Sequence, residues 1–376
     1  MTDAEFAAVG PSFATYLRGF RRSAGMAPTA RHFDAYCRGL LSDEPRKTVE
    51  PLALRAGTTV RTLQVFLKDA DWDEAAMGAT LRQKLARAFA AEPDPSRLGT
   101  IGLVDETSVV KKGTKTPGVQ RQYLGCVGKV DNGIVTVHLG ACRGDLKALV
   151  DADLFLPTSW AVDRPRCRAA GVPDAKGHEA KWKLAIWQWT QARVDGFAFD
   201  WLTFDEGYGR VGAFLWVLNF GGQRYVGEVP VNYRVARRDG GPRLEAREQL
   251  KPTARKGWKR FVQRHATGGV AVWKYRTVEV FAARHRQRLI LAVNVATREV
   301  KYFVSNDLQR SVKTLLRVAF RRAPIEHLFR LIKQEAGFTH FEGRNYRALM
   351  RHLTMALIVM GFTALHAAKL RKKTPT

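Results

Sequence analysis

Three carboxylates in this sequence have placements that suit phosphate chemistry. Asp105 closes the apolar run Ile101–Val104, Asp205 closes the apolar run Phe197–Phe204, and Glu326 lies on a helical stretch, Pro324–Ala336. Acids far apart in sequence but held on rigid elements can share hard divalent cations through oxygen ligands. Two such ions, about 3.5–4 Å apart, activate water or a 3′-hydroxyl and stabilise the leaving oxygen of a phosphodiester. The chain has 35 acidic residues, so acid count alone selects nothing; the strand-end placement of both aspartates does the selecting. Glu106 and Glu206 are adjacent, but neighbours along a strand point to opposite faces.

The elements that must position these acids are legible from periodicity. Residues 1–95 form a helical unit. Phe13, Tyr16, Leu17 and Phe20 recur at helical spacing, as do Phe33, Tyr36, Leu40 and Leu41. A helix from Val49, a turn at Gly57 and a second helix opened by Thr59 give a helix-turn-helix outline. Glu92-Pro93-Asp94-Pro95-Ser96 reads as a linker. Residues 96–229 carry the first part of an α/β core. Strand-like segments at Val119–Val130 and Ile134–Ala141 are joined by Asp131-Asn132-Gly133, a hairpin signal. An irregular excursion covers Cys142–Pro173, a helix Lys181–Val194, and a strand Tyr225–Val229. Residues 230–306 read as a β-rich insertion, with strands at Val270–Tyr275, Thr277–Ala283, Leu289–Val295 and Val300–Val304. Residues 307–376 return to the core as helices.

The charge defines the partner. Lys and Arg number 62, a formal net charge of +27, and a chain so basic meets a polyanion. Lys111, Lys112, Arg121 and Gln122 surround the first acid in a basic loop and hairpin. Lys256, Lys259 and Arg260 flank Trp258 in the insertion, basic residues interleaved with an aromatic as in single-strand and duplex clamps. Cys37, Cys126, Cys142 and Cys167 have no metal-ligand spacing and read as reduced thiols of a cytoplasmic protein. The most apolar window, Leu353–Leu365, is too short to span a bilayer and reads as a buried helix. No membrane and no small-molecule substrate is expected.

Three motifs together resemble the bacterial insertion-sequence transposases of the DDE class, in the branch with a β-rich insertion before the catalytic Glu. They are DETSVVKKGTKTPGVQRQY at 105–123, FDEGYG at 204–209 and RAPIEHLFRLIKQEAG at 322–337. The last keeps Arg322, Glu326 and Lys333 in the family's Arg-x3-Glu-x6-Lys spacing. Where the family often places Tyr three residues before that Arg, this chain has Ala319. The resemblance implies a ribonuclease H-like mixed sheet flanked by helices, with an all-α N-terminal DNA-binding domain. It implies that Asp105, Asp205 and Glu326 hold two Mg²⁺ (or Mn²⁺) ions and that Arg322 and Lys333 contact phosphate. It implies cleavage at transposon terminal inverted repeats, joining of the freed 3′-OH to target DNA, and a homodimer on paired ends at the nucleoid.

Other classes fit part of the pattern. A structure-specific host nuclease shares the acids but needs no specific ends. A domesticated DNA-binding regulator needs no acids, and a basic RNA-binding scaffold needs no strand-end carboxylates.

Overall fold

In the computed structural model, which describes residues 8–264 and 269–373, the strand carrying Asp105 is the centre of the molecule. This strand, β1 (Ile101–Val110), is hydrogen-bonded on one side to β3 (Lys129–Arg143) and on the other to β5 (Trp201–Phe204). β2 (Gln120–Leu124) and β4 (Leu146–Leu154) both pair with β3, at its two ends. Beyond β5 lie β6 (Tyr225–Val229), β10 (Val300–Ser305), β9 (His285–Asn294), β8 (Val270–Ala282) and β7 (Lys259–Arg264), in that order. β1, β5 and β6 are parallel and every other pairing in the sheet is antiparallel. The strands of 230–306 therefore continue the core sheet edge to edge through β6 and β10.

Several expected boundaries move, each for a physical reason. β1 does not stop at Asp105 but runs five residues further, to Val110, because β3 is long enough to pair with all of it. The hairpin between β2 and β3 turns at 125–128, where Gly128 has φ +65, not at Asn132-Gly133. Gly133 lies inside β3, where an added Cβ would stand 2.4 Å from the Val109 carbonyl oxygen. Only glycine allows that approach. Asn132 uses its side-chain amide on the Lys111 and Gly113 carbonyls, pinning the basic loop to the sheet. The expected excursion at Cys142–Pro173 contains β4, disguised by Asp151 and Asp153; Asp151 is answered by the buried Arg82 at 3.0 Å. Val270–Tyr275 and Thr277–Ala283 are one strand, β8.

The N-terminal helices are α1 (Val9–Arg18), α2 (Ala27–Leu41), α3 (Val49–Arg55), α4 (Val60–Lys68) and α5 (Glu74–Ala90). Thr59 and Asp73 cap α4 and α5 by accepting from the Thr62 and Ala76 amides. The α3–α4 pair is the expected helix-turn-helix, with Gly57 at φ +63 in its turn. The core helices are α6 (Lys181–Val194), α7 (Gly212–Phe220), α8 (Val312–Ala319), α9 (Pro324–Gln334) and α10 (Tyr346–Lys373). α10 is much longer than its apolar signal. By length and composition it could cross a bilayer, yet 56% of its most apolar window is buried against the rest of the chain. Phe13 and Tyr16 of α1 pack tilted against its Phe362, ring centroids 4.7 and 5.5 Å away.

One buried side chain fastens these layers. Arg351 of α10 is 0% exposed and donates to the carbonyls of Phe66, Leu67, Ala70 and Trp72 and to the Glu74 carboxylate. It thus closes the C-terminal end of α4, where orphan carbonyls need donors. Arg351→Met is expected to lower stability by about 3–5 kcal/mol, because it strands several acceptors and Glu74. Urea unfolding of both proteins measures it; an unchanged midpoint would show that water replaces the guanidinium without penalty.

Candidate active site

The site begins with a register. β1 and β5 run parallel with Val104 opposite Phe204, so the next residue on each strand is an aspartate. Asp105 and Asp205 therefore stand side by side, one strand spacing (about 4.8 Å) apart. β5 ends at this level, which frees Asp205 to cap the helical turn Glu206–Gly209 by accepting from the Tyr208 amide at 3.3 Å. Gly209 lets that turn sit on β6, since a Cβ there would stand 1.9 Å from the Glu228 carbonyl oxygen. Glu106 points to the other face of β1 and pairs with Lys181 at 2.8 Å.

Asp105 is 8% exposed. Its Oδ1 accepts from the Glu106 amide and its Oδ2 from Arg322 Nη1 at 2.7 Å. Burial pushes its carboxyl up to about 7, against the pull of the Arg322 guanidinium and with a further push from Asp205. The other edge of that guanidinium, Nη2, lies 3.8 Å from Glu326 Oε1. Glu326 is mostly exposed, on the first turn of α9. The three acids are thus arranged around one arginine, and among the described residues no three acidic, histidine or cysteine side chains converge as a ready metal cage.

The donor set nonetheless suits a hard dication. The acids offer oxygen only. Burial is the main cause of the raised Asp105 carboxyl, with a smaller push from the half-buried Asp205, and a divalent cation beside it would favour the charged form.

α9 is held by its apolar stripe, Ile325, Phe329 and Ile332, with Phe329 against the buried His138 at 5.0 Å. Arg322 precedes the helix, in a tight turn spanning Phe320–Arg322. Phe320 is the residue that sequence reasoning missed. Its ring lies 4.8 Å from Trp273, 5.9 Å from Phe261 and 5.8 Å from Phe303, so the insertion supports the turn that carries Arg322. The available signal was its place beside Ala319, where the motif departs from its pattern. Tyr208 was missed too: its buried hydroxyl has no hydrogen-bond partner and lies near Asp105, Asp205 and Glu106.

The basic residues divide into two sets. Lys333 reaches back to the Ser108 carbonyl at 3.1 Å, and Lys111 to that of Phe341 at 2.5 Å. Both are lodged on β1 and its neighbours, with burial lowering the pKa of each ammonium. Lys112 is exposed and lines a cleft of about 620 Å³ with Arg46, Lys111, Lys115 and Arg344. Arg344 also lines an adjoining groove of about 450 Å³ with Arg61, Gln64 and Lys68 of α4. The two grooves share Arg344 and Glu342 and run from the helix-turn-helix to the loop after β1, with Glu50 and Asp69 among the basic residues at the α4 end. Arg121 and Gln122 lie on β2 opposite Asn132 and Asp131, whereas Asp105 is opposite His138. That separation is about 20 Å along the strand, so they do not reach the acids. Gln122 also donates its amide to the Gly133 carbonyl at 2.9 Å. Lys256, Lys259 and Arg260 are exposed, the last two on edge strand β7. Trp258 is half-buried, and Lys274 Nζ sits 4.5 Å over its ring, leaving less of it for stacking than expected.

A mixed sheet in this order, with helices packed on it and two aspartates abreast at its centre, defines a ribonuclease H-like core. The chain belongs to the DDE superfamily endonucleases, whose family pattern it matches over residues 17–289. That span contains Asp105 and Asp205 and ends before Glu326. Over 232 residues the chain is 28% identical to a "Probable transposase for insertion sequence element IS701" of Microchaete diplosiphon, covering 56% of this chain and 54% of that one. The match thus spans about half the length of the relative. Endonucleases of this class use divalent metal ions.

The Asp105 titration gives a direct check on the site. An unfolded aspartate titrates near 4, the folded one at about 7, so the folded state holds an extra proton between those values. Stability from that proton is present below about pH 4 and is lost as the pH rises through 7. Asp105→Asn is expected to raise Tm by a few degrees at pH 8 in the absence of divalent metal, with the gain fading toward pH 4. A pH-independent difference between the two proteins would mean that the carboxyl is not shifted.

Proposed function

We propose that this chain is a DNA transposase that binds transposon ends, cleaves phosphodiester bonds and joins the freed 3′-OH to target DNA. The observation that carries the reading is the parallel register of β1 and β5, which sets Asp105 beside Asp205 with Arg322 and Glu326 brought up by α9. The printed name of the relative and the net charge of +27 agree with it. Asp105, Asp205 and Glu326 would hold Mg²⁺ or Mn²⁺, two ions per site. When bound, the ions supply Lewis-acid activation of water or the 3′-OH and offset charge on the leaving oxygen.

The chain's own residues do the rest. Arg322, released from Asp105, is one side-chain rotation from an incoming phosphate and forks onto it. Lys112, Lys115 and Arg344 hold the backbone of the same duplex, which α4 reads through Arg61 and Gln64. Lys333 steadies β1 through Ser108 rather than gripping DNA in the free protein. Two ends would be paired by a homodimer in the cytoplasm, at the nucleoid.

Glu326 is the acid most in need of test, since Glu335 is nearby on the same helical segment. Glu335 is nine residues on, about 180° round the helix, and closes the C-terminal end of α9 away from Arg322. Glu326→Gln is expected to keep the fold and end binding but to abolish Mg²⁺-dependent nicking of a labelled end substrate, because an amide is a poor ligand for a hard dication. Glu335→Gln should nick almost normally. Normal nicking by Glu326→Gln would overturn the site assignment.

Lys256, Lys259 and Arg260 supply affinity rather than sequence choice in this reading. Their joint replacement by Ala should weaken binding to end and scrambled duplexes alike. The slope of log K against log salt should flatten by about 0.9 for each phosphate left without its cation. Collapse of the preference for ends would instead make the segment a base reader; a salt titration with both duplexes decides.

A further inference from the structure

We propose that the cleft between α7 and the β8–β9 hairpin tip binds single-stranded DNA, taking unpaired bases on Trp216 and Phe220 and their phosphates on four arginines. The proposal rests on the reading of the chain as an enzyme acting on DNA and adds a second, distinct DNA site to it. The cleft is about 800 Å³ and is lined by Trp216 with Arg210, Arg234, Arg243 and Arg284, with no carboxylate among its lining residues. All four arginines are exposed. Among them, Arg234 donates to the Arg243 carbonyl at 3.2 Å. Four cations gathered without an anion repel one another, so the arrangement gains most when phosphate enters.

The aromatic wall selects the form of the nucleic acid. Trp216 lines the cleft and is 38% exposed; Phe220, one helical turn further along α7, lies just outside the lining and is 80% exposed. Their rings are stacked, centroids 5.3 Å apart and planes 18° from parallel. A flat, solvent-facing stack offers little to a duplex, whose base faces are hidden, and much to unpaired bases. The opposite rim is held stiffly. Ala283 and Arg284 form the hairpin tip with φ +47 and +64, left-handed values that a two-residue turn requires and that non-glycine residues adopt under constraint. A Cβ added at Gly212, at the start of α7, would lie 3.9 Å from the Cβ of Ala283, so the tip abuts the helix and fixes the width of the cleft. Arg210 closes the helical turn Glu206–Gly209, whose other end Asp205 caps, so the chain passes from the acid to the cleft within five residues.

The test uses the full chain with two probes at one fixed salt concentration, a fluorescein-labelled short oligothymidylate and a labelled duplex. Trp216→Ala is expected to weaken oligothymidylate binding about tenfold, Trp216→Phe to restore most of it, and both to leave duplex affinity within about twofold. Arg210→Ala with Arg243→Ala should weaken the single strand and reduce its salt slope by about 0.7 for each phosphate left without its cation. Equal losses on both probes, or none on either, would overturn the single-strand site while leaving the proposed function standing. The duplex arm reports that each variant is folded. A wild-type chain that bound neither probe would overturn both readings.

Discussion

A carboxylate is costly to bury without positive charge beside it, and the centre of this sheet is arranged around that constraint: Asp105 is buried, with the half-buried Asp205 on the neighbouring strand. The β1–β5 register makes the pairing unavoidable, because Val104 and Phe204 lock the two strands and the next residue on each is Asp. In the free chain the charge is met by Arg322, with Asp105 still pushed up to about 7. The arginine is therefore a partial answer. Its guanidinium lies between Asp105, at 2.7 Å, and Glu326, at 3.8 Å.

Arg322 can hold that place because the sheet continues past the core. Phe320, two residues before it, is seated among Phe261, Trp273 and Phe303, which belong to β7, β8 and β10. A surface meander would not need three aromatic rings turned onto one turn of the core. The insertion strands are thus structural supports for the active site as well as carriers of Lys259 and Arg260. Their removal would leave the Phe320–Arg322 turn without its packing, and Arg322 without a fixed distance from Asp105.

Much of this was legible in the sequence where a local signal and its tertiary use coincide. α6 and β6 fall at their expected bounds, and the helix-turn-helix falls where Gly57 and Thr59 mark it. Asp205 stands just past the end of its strand, as its apolar run suggested, whereas Asp105 lies inside β1, because β3 pairs with residues on both sides of it. Misreadings arose where a residue serves a partner remote in sequence. Asn132-Gly133 resembles a turn, but it exists for Val109, Lys111 and Gly113 across the sheet. Asp151 and Asp153 disguise β4 because their partners, Arg82 and Lys176, come from distant segments. The resting bonds of Lys111 and Lys333 to backbone carbonyls were equally hidden, since charge alone does not say whether an ammonium faces solvent or the sheet.

The same long-range bonding joins the N-terminal helices to α9, which carries Glu326. Tyr36 of α2 donates its hydroxyl to His352 Nδ1 at 2.9 Å, and His352 Nε2 is 3.0 Å from the Gly337 carbonyl. A carbonyl only accepts, so the proton is on Nε2 and the tautomer is fixed. Burial holds this imidazole neutral, with its pKa lowered to about 4, so the link is present throughout the physiological range. Lys47, just before α3, adds bonds from its ammonium to the Glu335 carbonyl at 2.5 Å and from its amide to His340 at 3.0 Å. Glu335 closes α9, the helix that carries Glu326. With Arg351 closing α4 from the other side, the helix-turn-helix cannot swing on a linker relative to the acids. The distance between α4 and Asp105 is then set by the fold rather than by a linker.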